Sequence, residues 1–175
     1  MNTELFGRAT DYARGVLSEL TCDDLRRPTP CEGWDVGRVV LHLADVVDGL
    51  IGLVETGVLA LPQPPRTDDP DPVAVVGDRL ERLAQALCIE ADAMRVGRAA
   101  AAGAVELTTH GWDTGVARHP AHRIPESLAD DVLALVSPAL DVSARGENFA
   151  APIDVPSNAS ASDRLVAFLG RMPRH

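Results

Sequence analysis

The sequence predicts an all-α protein, an antiparallel four-helix bundle with a short C-terminal helical extension, and three observations carry that expectation. Apolar residues recur at i, i+3, i+4 and i+7 over several long stretches, the spacing that places them on one face of a helix. Capping residues and prolines punctuate the gaps between those stretches. No stretch shows the strict alternation of a half-buried strand. At 175 residues the chain is expected to form one domain, residues 1–175, long enough to bury a sizeable core.

The first helix is marked by Leu5, Phe6, Ala9, Tyr12, Ala13, Val16, Leu17 and Leu20. Thr21 and Asp24 then give a Thr-x-x-Asp capping signal for a short turn, which Pro28 and Pro30 end. Asp35 is a good N-cap for the second helix, whose apolar face is Val36, Val39, Val40, Leu43, Val46, Val47, Leu50, Ile51 and Val54. Residues 62–72, where prolines alternate with Asp68, Asp69 and Asp71, are expected to be a solvated surface loop. The third helix follows with Val73, Val76, Leu80, Leu83, Ala84 and Leu87. Residues 88–97 fit no pattern, and Gly97 is a break or a bend, so the fourth helix is expected from near Arg98 to near Arg118. His119, Pro120, His122 and Pro125 form a loop before a fifth helix near Ser127–Leu140. Residues 141–159 look irregular. Ser160 to Asp163 caps a last short helix carrying Leu165, Phe168 and Leu169, closed by Gly170.

Bulk composition excludes several functions. A net charge of −10 argues against nucleic acid and against an anionic membrane, since phosphate would be repelled. No apolar run reaches the length of a membrane span, and Met1-Asn2-Thr3-Glu4-Leu5 lacks the parts of a signal peptide, which makes the cytoplasm the default location. Cys22, Cys31 and Cys88 are odd in number and widely spaced, and are expected to be reduced thiols.

The chemistry is expected around Glu106-Leu107-Thr108-Thr109-His110-Gly111-Trp112-Asp113. On a helix Glu106 and His110 lie one above the other, so a carboxylate and an imidazole can bind one divalent metal from one face. Asp113, at i+3 from His110, is placed to orient that imidazole. A third ligand must come from another element, and His42 is the candidate. It lies at the edge of the second helix's apolar face, where a polar group without a partner is costly. Donor atoms at metal-bond length would lie roughly 3–4 Å apart. Trp34 and Trp112 flank the two candidate stretches and are expected close to the site, with Trp112 partly shielding it. Cys31 sits just before a helix N-terminus, which lowers a thiol's pKa, although a small loop residue is the simpler reading. His119 and His122 form a His-x-x-His pair expected to be solvated, and Asp45 and Asp48 the polar flank of the second helix.

Pro30-Cys31-Glu32-Gly33-Trp34-Asp35-Val36, followed by the helix with His42, resembles the first signature of the DinB/YfiT-like metal-binding family. More narrowly it resembles the actinobacterial branch related to mycothiol-dependent maleylpyruvate isomerase. Glu106-x-x-x-His110-Gly-Trp-Asp113 is similar to that branch's second signature, and Asp163 to Arg171 to its usual ending. The resemblance implies a four-helix bundle with a divalent metal, zinc by preference and nickel as the alternative, held by His42, Glu106 and His110. Three protein ligands leave a coordination position open, the mark of a catalytic site. In the family a low-molecular-weight thiol, mycothiol in this branch, binds there and attacks a small electrophile, giving a thiol transferase or isomerase. The implied partners are that thiol and the electrophile, with a homodimer as the allowed assembly. The rival reading is a non-catalytic metal-binding protein, a sensor or a sequestering partner, with a fourth protein ligand such as Asp113 or Cys31 closing the site.

Overall fold

The structure, a computed structural model, describes residues 2–90, 92–140, 145 and 150–173. Among these the chain is all-helical: α1 (Asn2–Ser18), a single 3-10 turn (Asp24–Arg26), α2 (Val36–Thr56), α3 (Pro72–Ile89), α4 (Ala93–Arg118), α5 (Glu126–Val136) and α6 (Ala161–Phe168). It is a helical bundle, as the periodicity predicts. The apolar stripes face one another: α1 packs on α4, α4 on α2 and α2 on α3, while α5 packs on α6 and touches α1 and α4. None of the described helices is long and apolar enough to cross a membrane.

Local chemistry fixes the ends of the helices that matter here. Asp35 caps α2, its carboxylate accepting from the Arg38 amide at 2.8 Å, and Gly57 in the left-handed region (φ 80°) closes it. On α4, small residues allow close approach. Ala99 and Ala100 are fully buried, and a Cβ on Gly103 would lie 2.8 Å from the Phe6 ring of α1.

Two helix boundaries differ from the sequence expectation. The fourth helix begins at Ala93, not near Arg98, and Gly97 lies inside it. Asp92 supplies the cap, accepting from the amides of Met94 and Arg95, and one glycine costs only about 1 kcal/mol against alanine, too little to break a capped helix. The fifth helix stops at Val136 rather than near Leu140: Ser137 still has helical angles and bonds back to the Leu133 carbonyl, but Pro138 offers no amide to continue the ladder. Of the stretch expected to be irregular, 141–144 and 146–149 lie outside the described residues.

Candidate metal centre

The loop before α2 is a tight turn whose side chains enter the site. Thr29 donates its hydroxyl to the Trp34 carbonyl (2.9 Å) and accepts from the Cys31 amide (3.2 Å), while Gly33 at φ 74° lets the chain reverse. Trp34 is thereby set edge-on to His42, ring centroids 5.1 Å apart. Nearly two turns into α2, His42 meets α4.

There the three side chains singled out by spacing converge. Glu106 Oε2 lies 3.4 Å from His110 Nε2 and 3.9 Å from His42 Nε2, and the two imidazoles stand nearly perpendicular at 5.0 Å between centroids. All three donor atoms lie within 4.8 Å of one another. Donors bonded to one zinc at about 2.0–2.2 Å in tetrahedral geometry are about 3.4 Å apart, so two imidazole nitrogens and a carboxylate so placed suit a divalent ion.

Behind His110 stands a second layer. Its Nδ1 lies 2.9 Å from Asp113 Oδ2, which assigns the ring proton to Nδ1 and turns the Nε2 lone pair toward Glu106 and His42. Asp113 is completely buried and is gripped by a guanidinium fork: Arg171 Nε donates to Oδ1 at 2.8 Å and Nη2 to Oδ2 at 2.9 Å. The Cys31 thiol donates to the same Oδ2 at 3.3 Å. Cys31, His110 and Asp113 also cluster closely enough for a metal, but Arg171 already occupies the place a cation would take. Arg171 reaches the site because Gly170, at φ 79°, turns the chain after α6 against Ala150, where a Cβ would come within 2.7 Å of the alanine methyl.

The electrostatics follow from this layering. Burial would raise the Asp113 carboxyl, yet His110 and Arg171 hold it down at about 2. Burial, then the charge of His110, lowers the His42 imidazole. Burial also works against a charge on His110, but hydrogen bonds to Asp113, Cys31 and Glu106 outweigh it and lift the imidazole well above its ordinary value. Glu106 is lowered in spite of burial by its bond to His110 and the charges of His110, His42 and Arg171. One positive charge between Glu106 and the two imidazoles satisfies this arrangement. A proton on His110 supplies it, and a divalent ion on the Nε2 atoms would take its place.

The donors open into a cavity of about 760 Å³. His42, Glu106, His110, Cys31, Trp34 and Arg171 line one end, and Val46, Leu50, Leu59, Leu61, Ala102 and Val105 the other. Thr109 lines it too, and its buried hydroxyl has no partner among the described residues.

Other expected placements fared differently. Trp112 does not shield the site. It is 1% exposed in the apolar core and absent from the cavity wall, because a residue at i+2 from His110 points to the far side of the helix. His122 is not free in solvent either. It lies half-buried, 2.8 Å from the Tyr12 hydroxyl, in a slot that Gly111 and Gly115 open on α4, and beside a second cavity of about 380 Å³. His119 is exposed as expected. Asp45 is no polar flank but a buried anchor, 2% exposed, that accepts from the Arg66 amide at 2.9 Å and from its guanidinium. Asp48 accepts from Arg66 and faces Arg79. Sequence reasoning singled out neither Arg171 nor Thr109. Arg171 stood only within a terminal resemblance, and nothing local signals that an arginine 58 residues away will find Asp113.

A family model described as the mycothiol maleylpyruvate isomerase N-terminal domain matches residues 6–122. Two uncharacterized proteins of Mycobacterium tuberculosis, MT0763 of strain CDC 1551 and Rv0738 of strain H37Rv, are each 25% identical over 180 residues, covering 95% of this chain and 96% of theirs. No solved structure matches significantly.

Proposed function

The chain belongs to the mycothiol maleylpyruvate isomerase N-terminal domain family, and from that premise we propose that it is a divalent-metal-dependent thiol transferase or isomerase. Mycothiol or a similar low-molecular-weight thiol is its cosubstrate, and residues 1–175 act as one domain, in the cytoplasm. One observation carries the reading: the Glu106 carboxylate faces both His42 and His110, at 3.9 and 3.4 Å, and the three open together into a 760 Å³ cavity instead of being sealed by a fourth ligand.

In this reading His42 Nε2, Glu106 Oε2 and His110 Nε2 hold the ion, zinc by preference. When bound, it supplies the Lewis acidity that keeps a thiol as thiolate at neutral pH. The protein does the remainder. Asp113 fixes the His110 tautomer, and Arg171 keeps Asp113 ionised and in place. Trp34 packs edge-on against one side of His42. Arg171 and Cys31 complete the polar end and leave neither Asp113 oxygen free to coordinate.

The test is a thiol-transfer and isomerisation assay on protein stripped of metal and then reloaded with zinc or nickel, using mycothiol and a generic electrophile. Activity that appears on reloading and is absent from His110→Ala supports the proposal. Tight metal binding with no thiol-dependent turnover for any thiol tried would replace it with the non-catalytic metal-binding reading.

A further inference from the structure

We propose that the electrophile taken by this cavity is a neutral compound with an apolar body, not a dicarboxylate; this rests on the thiol-transfer reading above and names its substrate class. The far end of the cavity is walled by Val46 and Leu50 of α2, Val105 of α4, and Leu59 and Leu61 of the strap that follows α2. Leu59 and Leu61 are 53% and 43% exposed, so two large apolar side chains face the opening without covering one another. Such surface at the rim of a cavity calls for an apolar occupant.

This wall is built into the fold. A Cβ on Gly49 would lie 2.9 Å from Leu61 Cδ2 and 3.3 Å from Leu59 Cδ1, so the strap lies directly on α2 where glycine leaves room for it. Arg66 ties its far end down, through its amide to Asp45 at 2.9 Å and its guanidinium to Asp45 and Asp48.

Charge points the same way. Among the described lining residues the only guanidinium is that of Arg171, and all three of its nitrogens already donate within the protein, to Asp113, Cys31 and the Leu169 carbonyl. Among the described lining residues the one other side-chain cation is the His110 imidazolium, whose charge Glu106 and Asp113 already meet, whereas Glu32 and Glu106 line the cavity and the chain carries −10. A dianion would be held off and a neutral molecule would not. Addition of a thiol to an activated alkene fits this chamber and needs no oxidant: the sulfur–carbon bond forms, the π bond is lost, and the thiol proton ends on the adjacent carbon.

The test separates binding from chemistry. Trp34 lines the cavity, so its fluorescence reports occupancy. Dibutyl succinate and succinate, both inert toward thiols, are titrated into wild type, Leu61→Ser and Leu61→Arg. The diester should bind at least tenfold more tightly than the dianion. Leu61→Ser should weaken the diester about tenfold, the scale of one large apolar contact, and Leu61→Arg should improve succinate binding. Succinate binding as tightly as the diester, or a diester affinity unchanged in Leu61→Ser, overturns the proposal. Thiol addition to dibutyl maleate is then followed on zinc-loaded protein. Diester binding without any such addition overturns the thiol-transfer reading while upholding the apolar occupant.

Discussion

Arg171→Met tests the layer behind the metal donors. Methionine keeps most of the aliphatic stem, so the loss is chiefly that of the fork. Asp113 accepts from Arg171 at 2.8 and 2.9 Å, from His110 at 2.9 Å and from Cys31 at 3.3 Å, and is 0% exposed. Without the fork a fully buried carboxylate keeps only its imidazole and a weak thiol donor. Breaking one partner of a buried pair costs about 3–5 kcal/mol, and Arg171, 13% exposed, places this pair near that range. Urea unfolding of wild type and variant, with equal slopes, should therefore show a loss of about 3 kcal/mol. Arg171→Lys should recover only part of it, since an ammonium cannot fork both oxygens. Because Asp113 sets the direction of His110 Nε2, zinc affinity of the folded variant should also fall about 10–100-fold. A loss under about 1 kcal/mol with unchanged zinc affinity would refute the argument that Arg171 acts through Asp113 on His110.

Gly115→Ala should cost about 1–3 kcal/mol in thermal or urea unfolding, since the added methyl overlaps the His122 ring and must push it off Tyr12. Asp45→Ala should loosen the strap, read as faster proteolytic cleavage between residues 57 and 66 at unchanged helical content, because the Arg66 amide loses its acceptor and the guanidinium keeps only Asp48. His122 should make the fold acid-sensitive. Burial, only partly opposed by Glu19 and aided by His119, holds its imidazole below the ordinary 6.5, so the unfolded chain takes up that proton first. Its contribution is intact above 6.5 and is lost as pH falls through 6.5 toward the folded value, so stability measured against pH should fall less steeply over that window in His122→Gln.

What the sequence made legible was whatever local periodicity encodes. Apolar stripes placed the helices, and the i, i+4 step placed Glu106 beside His110, because those relations are fixed by the helix itself. His42 could be nominated from its place at the edge of a stripe. The same geometry puts Trp112, two residues from His110, on the opposite side of α4, so adjacency along the chain is no guide to its place. Arg171, Asp45 with Arg66, and Tyr12 with His122 were out of reach for another reason: each joins separate segments through contacts that follow only from the packed fold. A charged residue on a helix flank and a charged residue in a buried pair look alike until the partner segment is in place.

In the proposed site His42, Glu106 and His110 jointly hold one divalent ion facing the cavity. Competition titration of zinc against a chromophoric chelator tests it most directly, run on wild type beside His42→Ala, Glu106→Gln and His110→Ala. Wild type should bind one tight zinc per chain, and each variant should lose at least about 100-fold in affinity with helical content retained. Wild type that takes up no zinc, or any one of the three variants that binds it as tightly as wild type, would rule out a shared three-residue site.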